Sequence, residues 1–359
     1  MEKFAFIIHP LEMRDIGRKF PFFDRFSPEW AAKFTKHAPP LLAEHMRGIR
    51  GADGAEAEGW LIASVLSAAQ MVELPLPFVL RKIVAAGKKA ERLGAKVVGL
   101  GAMTSVVGDA GITIAKQLSI PVTTGNSLTV ATAIQATYQA ASLMGIELSS
   151  ARLCVVGATG AIGEVCARMM ASSVGSVCLA ARDESKLERV ASLIYSESSV
   201  LCQIDADVRR AVRDADLVIA VSGSAQTLLR AEDFKSGAVV CDVARPRDVA
   251  KSVAGLRDDV LVIEGGLVEV PGGWQGDFSF GLPPGIVYAC MAETMLLALE
   301  GRYECFTLGR SIQIEQVREI DRLAQKHGFQ LAAFRSFGKP LHPADILQVR
   351  ERVGSLNPT

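Results

Sequence analysis

Three glycines spaced three residues apart could hold a phosphate group. Gly157, Gly160 and Gly163 follow the apolar run 152–156 and precede a helical pattern over 164–171. Where a buried parallel strand turns into a helix, such glycines permit the tight turn, a close approach of the backbone to a pyrophosphate, and close packing of helix on strand. The helix N-terminus adds free N–H groups. The predicted dinucleotide-binding residues are Gly157, Ala158, Thr159, Gly160, Ala161, Ile162 and Gly163, although the spacing G-x-x-G-x-x-G departs from the usual G-x-G-x-x-G.

The end of the next apolar run indicates which nucleotide is bound. Residues 176–181 follow at the spacing of a β–α–β unit and lead into Arg182. An acidic residue there would bind the ribose 2′-hydroxyl of NAD, whereas an arginine suits the 2′-phosphate of NADP. Asp183 comes next and keeps the NAD alternative open, while Lys186 and Arg189 could add positive charge to the same region. We predict NADPH as the cofactor.

Further apolar runs predict more strands of the same sheet. They lie at 215–221, 238–243 and 260–266, separated by helical patterns, as in a parallel sheet. Ligands bind at the carboxyl ends of such strands. This adds Ser222 and Gly265 to the predicted cofactor contacts.

The whole chain is predicted to be an α/β protein of two domains. Strand-like runs at 3–9, 96–103 and 118–126 belong to an N-terminal α/β substrate domain, residues 1–127. A connecting helix, 128–148, leads to a doubly wound parallel Rossmann sheet over 149–284. Residues 285–359 are predicted to form C-terminal helices that pack back on the interdomain cleft, with the tail after 338 as a small appendage.

Composition limits the classes of partner and site. The 359 residues carry 39 Lys and Arg against 39 Asp and Glu, so charge gives no argument for a nucleic-acid partner. The seven cysteines are scattered, with no C-x-x-C pair, which argues against a disulfide scaffold and a zinc site. We therefore predict no metal and a cytoplasmic location. The sequence has no run of 18 apolar residues, so no membrane span is predicted.

Several stretches together resemble one enzyme family. They are Thr123-Thr-Gly-Asn-Ser127, Val155-Val-Gly-Ala-Thr-Gly-Ala-Ile-Gly163, Val262-Ile-Glu-Gly-Gly266, Tyr288-Ala-Cys-Met-Ala-Glu-Thr-Met-Leu-Leu-Ala-Leu-Glu-Gly301, Leu308-Gly-Arg310 and His327-Gly-Phe-Gln-Leu-Ala332. In this order they resemble the long-chain acyl-[acyl-carrier-protein] reductases of cyanobacterial type, over residues 95–333. The segment Asp242–Asp248 departs from that family and looks more like the nucleotide domain of glutamyl-tRNA reductases, and the tail beyond 333 is longer than the family's.

The resemblance implies an activity and a nucleophile. Enzymes of this family reduce long-chain acyl thioesters to fatty aldehydes with NADPH, so it implies acyl carrier protein or acyl-CoA as the substrate carrier and an aldehyde-consuming enzyme as a further partner. It implies that Cys290 takes the acyl group as a thioester. Periodicity alone would make Cys290 a core residue on one helix face with Ile286 and Leu297. If a helix opens at 283–285, Cys290 lies about one turn into it, where the helix dipole would lower the thiol pKa.

The reaction also needs donors for the tetrahedral oxyanion. Asn126 and the turn at Thr104 and Ser105 end first-domain strands, so they could face the cleft, although turn formation and helix capping explain them equally well. Glu293, one turn after Cys290, could move a proton, but a structural role is favoured. For His327, near a helix end, we favour capping over catalysis.

Other functions remain open. A dehydrogenase of the shikimate or amino-acid type would share the two-domain plan but needs a lysine–aspartate pair, and Asp109 in the first domain lacks a clear partner. A glutamyl-tRNA-reductase-like enzyme and a module that only binds NADP are further alternatives. If the substrate is a long acyl chain, the apolar runs 60–66, 74–79 and 99–107 are candidate walls of its groove.

Overall fold

The computed structural model describes residues 1–10, 27–224, 226–278 and 280–356. The chain forms two compact units. Unit 1 comprises Met1–Leu128 and Val268–Gln330, and unit 2 comprises Thr129–Leu267 and Leu331–Thr359. The chain leaves unit 1 next to the predicted boundary at residue 127, but it returns to unit 1 before the predicted boundary at 284.

Unit 1 is built around a five-stranded sheet. The elements of its first stretch are β1 (Glu2–Ile8), α1 (Pro28–His37), β2 (Leu41–Arg50), β3 (Glu56–Ala63), α2 (Ala68–Glu73), α3 (Leu76–Arg92), β4 (Val97–Leu100), α4 (Ile112–Ala115) and β5 (Val122–Thr123). The strand order is β2-β3-β1-β4-β5, and only β2 and β3 pair antiparallel. The runs 3–9 and 96–103 contain β1 and β4, as predicted, whereas the run 118–126 contains only the short β5. Charged residues such as Glu44 and Arg47 hide β2 from a prediction based on apolar patterns.

Unit 2 contains the predicted doubly wound sheet. Its elements are α5 (Asn126–Met144), β6 (Arg152–Val156), α6 (Ala161–Met170), β7 (Ser176–Ala180), α7 (Glu184–Ser198), β8 (Cys202–Asp205), α8 (Val208–Ala211), β9 (Leu217–Ala220), β10 (Val239–Asp242), α9 (Val253–Leu256) and β11 (Leu261–Glu264). The order β11-β10-β9-β6-β7-β8 is parallel throughout and reverses between β6 and β9, where such sheets bind nucleotides. The two-domain α/β prediction is confirmed. The sequence did not predict β8, because its residues are exposed or only partly buried and form no apolar run.

The chain then returns to unit 1. The following elements are β12 (Leu267–Glu269), β13 (Ile286–Tyr288), α10 (Ala289–Leu299), α11 (Ile314–Lys326) and β14 (Gln330–Leu331), and the three strands form a small sheet in the order β13-β12-β14. α10 is apolar all round, as expected of a buried helix, and all its residues except Cys290 are buried.

α3 and α10 cover opposite faces of the unit 1 sheet. Successive side chains of a strand point to opposite faces. Ile7 belongs to the core that includes Val79 and Ile83 of α3. Its neighbour Phe6 lies near Gly99 on the other face, where α10 packs so closely that a side chain at Gly99 would overlap with Thr294.

The C-terminal tail is part of unit 2. β15 (Arg335–Ser336) and β16 (Lys339–Pro340) form a hairpin, and α12 (Pro343–Leu356) follows. Val353 of α12 packs on Gly237, and the Arg350 side chain reaches the carbonyl oxygen of Leu143 at 3.4 Å. The prediction of a small appendage is therefore wrong, because the tail packs on the body of unit 2.

Among the described residues there is neither a helix that could span a membrane nor a group of side chains that could hold a metal ion. No helix there has the length and apolar character needed to cross a membrane. The same residues contain no group of three or more His, Cys, Asp or Glu side chains that could hold a metal ion.

Candidate functional site

The three glycines of unit 2 each meet a different steric demand. Gly157 has φ +85°, and a Cβ there would lie 2.7 Å from the carbonyl oxygen of Val221. Gly163 packs against the loop itself, and a Cβ there would lie 2.9 Å from the carbonyl carbon of Gly157. Gly160 is the N-cap of α6. The first and third positions therefore exclude larger residues, which is the arrangement predicted from their spacing.

The helix after this loop begins three residues earlier than the predicted residue 164. α6 starts at Ala161, and the first backbone bond of the helix runs from Glu164 N to Gly160 O at 2.9 Å. The amides of Ala161, Ile162 and Gly163 thus precede that bond, at the end of the helix that favours anions. Ala158 is buried, and its amide bonds to Ala180 O at 3.3 Å. Thr159 is only partly buried. Amides that precede the first bond of a helix are the groups that bind phosphate at helix N-termini.

Arg182 is the available cation at the end of β7. The neighbouring Asp183 caps α7 by accepting a hydrogen bond from Lys186 N at 3.1 Å. The Lys186 side chain, with Ser185, lowers the pKa of the Asp183 carboxyl to about 2. Lys186 and Arg189, which the sequence suggested as extra positive charge, are paired with Asp183 and Glu164 at 2.9 and 2.6 Å. Arg182 is exposed and has no ion-pair partner among the residues described.

Ser222 and Gly265 both lie at strand ends, and internal contacts hold them there. The amide of Ser222 donates to a carboxylate oxygen of Asp248 at 2.7 Å, and its hydroxyl donates to the other oxygen. Burial raises the pKa of Asp248, and it raises the pKa of the neighbouring Asp242 to about 6. Gly265 packs closely on Cys241, and a Cβ at this glycine would lie 2.7 Å from the Cys241 sulfur. Ser222 therefore shapes the loop beside Gly157. Its anchor Asp248 ends the segment Asp242–Asp248 that resembles glutamyl-tRNA reductases, but the sequence did not predict this contact.

Cys290 lies in the first turn of α10 in unit 1. The helix begins at Ala289, capped by Tyr288, because the chain first forms β13 over Ile286–Tyr288. The prediction that 283–285 open the helix is wrong, and so is the shared helix face with Ile286. Cys290 keeps part of its surface exposed.

A turn that follows β5 packs directly on Cys290. Gly125, with φ +69°, lies so close that a Cβ there would overlap with the backbone of Cys290 and lie 2.6 Å from its Cβ. Asn126, the next residue, begins α5 and is half-buried. The fold thus brings the turn before Asn126 against Cys290, although the sequence separates the two widely.

Glu293 holds this turn in place. Its fully buried carboxylate accepts hydrogen bonds from the Thr123 hydroxyl at 2.6 Å and from Leu128 N at 3.0 Å. Burial raises the pKa of the carboxyl, while bonds from Thr123, Leu128, Thr307 and Ser127 act in the opposite direction. Because Leu128 and Ser127 belong to the first turn of α5, Glu293 caps that helix from α10. These contacts agree with the favoured structural role of Glu293.

The pKa of the Cys290 thiol is raised, whereas the sequence predicted that it would be lowered. Burial raises it to about 12, and the charge of Glu293 adds to the rise. Backbone N–H groups of Met291, Cys290 and Ala102 lower it, but they do not compensate. The position near the N-terminus of a helix was predicted correctly. Its effect on the thiol was not, because desolvation outweighs the dipole.

Thr104 and Ser105 form the turn that contains Ala102. The Thr104 hydroxyl accepts from Gly101 N at 3.0 Å, and the Ser105 hydroxyl donates to Ala102 O at 2.7 Å. Both residues are buried. Their side chains thus form the turn, as the alternative explanation held, and the amide of Ala102 in the same turn has a small lowering effect on the pKa of the Cys290 thiol.

His327 caps α11 and is buried between two carboxylates. Its Nδ1 lies 3.0 Å from Asp53 Oδ1, and its Nε2 lies 2.7 Å from Glu300 Oε2. The contacts agree with capping. Asp109 caps α4 by accepting from Thr113 N at 3.0 Å. The candidate acyl-chain walls are largely core, since Trp60, Val79 and Leu100 are buried in one cluster.

Comparisons with known proteins cover the two units unevenly. The family model of shikimate / quinate 5-dehydrogenase matches residues 139–264, within unit 2. The chain is 29% identical over 359 residues to an aminotransferase, PigE, of Serratia sp., which covers 97% of this chain. The chain spans only 42% of the length of that relative.

Two further proteins match most of the chain. The long-chain acyl-[acyl-carrier-protein] reductase of Synechococcus elongatus is 26% identical over 334 residues, covering 89% of this chain and 95% of that protein. The structure of L-tryptophan dehydrogenase from Nostoc punctiforme covers 99% of this chain and 89% of its own, with a TM-score of 0.41 and 11% identity. The family model and the reductase support an NAD(P)-dependent oxidoreductase.

Proposed function

We propose that the protein reduces a long-chain acyl thioester, carried by acyl carrier protein or coenzyme A, to a fatty aldehyde with NADPH. The observation that carries the proposal is the packing of Gly125 on Cys290, which sets the turn that leads into Asn126 directly against a cysteine with part of its surface exposed. Similarity to an acyl-thioester reductase over 95% of that protein's length adds support.

The glycine loop of unit 2 would hold the cofactor. The amides at 161–163 would face the pyrophosphate, and close packing leaves no room for a side chain at Gly157 or Gly163. Arg182 would face the 2′-phosphate, because the neighbouring cations are already paired. When bound, NADPH supplies the hydride that reduces the acyl carbon.

Cys290 would take the acyl group first. Its sulfur bonds to the acyl carbon, the bond from that carbon to the carrier sulfur breaks, and the thiol proton passes to the leaving carrier thiol. Because burial holds the thiol protonated, proton transfer must accompany the attack. The amide of Ala102 and the side chain of Asn126 would stabilise the oxyanion of the tetrahedral intermediate.

The thioester on Cys290 is then broken by reduction of its carbonyl carbon. The carbon–sulfur bond breaks, the aldehyde leaves, and the Cys290 sulfur departs as a thiolate that takes up a proton. The amides of Met291 and Cys290, which favour the thiolate, would assist this departure.

NADPH consumption with three substrates tests the proposal. A long-chain acyl carrier protein thioester and an acyl-CoA should be reduced, and a shikimate-like acid should not. Each buried methylene contributes about 0.8 kcal/mol, so the rate at low substrate concentration should rise from short to long chains. A flat chain-length profile, or turnover of the small acid alone, would reject the assignment.

Cys290→Ala tests the covalent step. This variant should keep NADPH binding and lose aldehyde formation, and without NADPH only the wild type should gain one acyl mass. Cys305→Ala is the matched control, because Cys305 is an exposed cysteine of the same unit. If Cys290→Ala makes aldehyde at a comparable rate, the thioester is reduced without an enzyme-bound acyl group.

The shikimate-type alternative is favoured by the family model alone, which lies within unit 2. It requires a lysine–aspartate pair in unit 1. Asp109 is engaged instead by the amide and hydroxyl of Thr113. The small-acid arm of the same experiment decides between the two functions.

A further inference from the structure

The turn that packs on Cys290 is held from two sides. On one side Glu293 of α10 binds Thr123 and Leu128. On the other side lies the segment 305–310, which connects α10 to α11 within unit 1. In the sequence, only the second half of this segment stood out, through its resemblance to a family, and no role was predicted for it.

Thr307 supplies the contacts from this segment to the turn. Its carbonyl oxygen accepts a hydrogen bond from Thr124 N at 2.8 Å, and its own N–H donates to the Thr123 hydroxyl oxygen at 3.2 Å. Its hydroxyl lies 2.7 Å from the hydroxyl of Ser127, so that one of the two donates to the other. Because all four residues are almost completely buried, water does not readily replace these bonds when they are lost.

The segment 305–310 is also tied to a second loop of unit 1. Gly309 N donates to Ala110 O at 2.9 Å, and the Arg310 side chain donates to Gly108 O at 2.8 Å. Both acceptors lie in the loop that follows β4. Thr307 is therefore anchored independently of the turn that it contacts.

The bond between Thr307 and Ser127 acts next to Asn126. Ser127 follows Asn126 in the first turn of α5, and Gly125 precedes both. A Cβ at Gly125 would lie 2.6 Å from the Cβ of Cys290. Three consecutive residues thus contact the cysteine at one end and Thr307 at the other, so a shift of Ser127 would move both Asn126 and the turn that covers Cys290.

We propose that Thr307 is a positioning residue of the Cys290 site. Its hydroxyl holds Ser127, and through Ser127 it keeps the turn packed on Cys290 and Asn126 in place for the acyl group. The action is indirect, through the turn. This inference rests on the proposed function for its catalytic meaning, whereas its geometric content concerns the reactivity of Cys290 alone.

Thr307→Val tests the proposal, because it removes the hydroxyl and keeps the shape of the side chain. In the full-length protein at pH 8, iodoacetamide should alkylate Cys290 about fivefold faster, since a loosened turn uncovers the thiol and relieves the desolvation that keeps it protonated. Mass spectrometry locates the modified cysteine. Alkylation that is unchanged or slower would overturn the proposal.

Turnover should change in the opposite direction. With an acyl thioester, kcat should fall about tenfold because Asn126 loses its position, and the KM for NADPH should stay the same. An unchanged kcat would overturn the catalytic role. If the wild type reduces no thioester, the proposed function fails, while the alkylation rates still decide whether Thr307 holds the turn.

Matched variants of the two hydroxyls separate positioning from folding. Thr307→Ser keeps the hydroxyl and should return both rates to within about twofold of the wild type. Ser127→Ala should reproduce both changes, and it decides the question alone if Thr307→Val does not fold. The double variant should be no worse than either single variant, because the two residues share one bond. Additive effects would mean that the hydroxyls act separately and would overturn the proposal.

Ser67→Ala is the control for a general loss of stability. Ser67 is another buried hydroxyl residue of unit 1, where it caps α2. Its replacement should change neither the alkylation rate nor kcat. Changes as large as those of Thr307→Val would show a general loosening of unit 1 and would overturn the specific role of Thr307.

Discussion

The glycine loop of unit 2 and the Cys290 region of unit 1 are built in contrasting ways. The three glycines of the loop fall within seven consecutive residues, where Gly163 packs on Gly157. The contacts around Cys290 join distant parts of the chain, and the bond from Thr123 to Glu293 spans 170 residues. A local motif can therefore be recognised from spacing, whereas a site assembled by the fold cannot.

The strongest test of this contrast changes one glycine in each region. Gly125→Ala should slow acylation and alkylation of Cys290 at least about a hundredfold, because overpacking and the positive φ together cost roughly 2–5 kcal/mol. It should leave NADPH affinity unchanged. Gly157→Ala should do the reverse and weaken NADPH binding by a similar factor. Alkylation rates and fluorescence titration with NADPH measure the two effects.

Two glycines serve as controls for these variants. Gly301 has φ +64° but nothing within 4 Å of a Cβ, and Gly255 of α9 also has open space. Gly301→Ala and Gly255→Ala should change neither readout. If Gly157→Ala also altered the reactivity of Cys290, the two regions would not be separable.

Glu293→Gln should destabilise unit 1 by about 2–4 kcal/mol, since it replaces hydrogen bonds to a buried carboxylate and turns an amide donor towards Leu128 N. All three tryptophans, Trp30, Trp60 and Trp274, lie in unit 1. Their fluorescence should therefore report unfolding at lower urea. The thiols of Cys166 and Cys241 are buried in unit 2. They should become reactive towards a thiol reagent at the same urea concentration in the variant as in the wild type.

The exposed Glu269→Gln is the control for charge removal and should shift the tryptophan transition by less than about 0.5 kcal/mol. If Glu293→Gln shifted the tryptophan transition no more than Glu269→Gln does, the buried carboxylate would not hold the turn.

The reactivity of Cys290 should rise steeply with pH. The thiolate is the reactive form, and the pKa of the thiol is raised to about 12. Between pH 7 and pH 10 each unit should therefore increase the alkylation rate about tenfold. A plateau near pH 8 would mean that the helix dipole outweighs burial, as the sequence alone suggested.

Arg182→Ala should have the smallest effect. Charge-assisted contacts contribute roughly 1.5–3 kcal/mol, so the KM for NADPH should rise about tenfold or more while that for NADH changes little. Arg189→Ala is the control, because its guanidinium is paired with Glu164. Equal loss with both cofactors would make Arg182 structural.

The parts of the fold that the sequence predicted are those set by local patterns. Apolar runs predicted every strand of the six-stranded sheet of unit 2 except β8, and the glycines predicted the turn into α6. The start of α10 was misplaced because a Pro-Pro-Gly sequence commonly opens a helix, while here β13 pairs with β12 first. β2 was missed because a sheet edge tolerates charged residues.

The sequence named the candidate residues around Cys290 but predicted the wrong direction for the pKa shift of its thiol. Cys290 and Asn126 were named from resemblance and strand ends, and the structure packs Gly125, the neighbour of Asn126, on Cys290. The thiol pKa depends on burial, which no local pattern reports.

The interrupted course of unit 1 has a consequence for biosynthesis. About 140 residues, Thr129–Leu267, are translated between its two stretches, which at roughly 5–20 residues per second takes on the order of ten to thirty seconds. During that interval the face of the nascent sheet around Phe6 and Gly99 lacks α10, its cover in the finished protein. A ribosome that stalls before residue 289 would release a chain with an apolar sheet face exposed to water, a substrate for chaperones and a seed for aggregation.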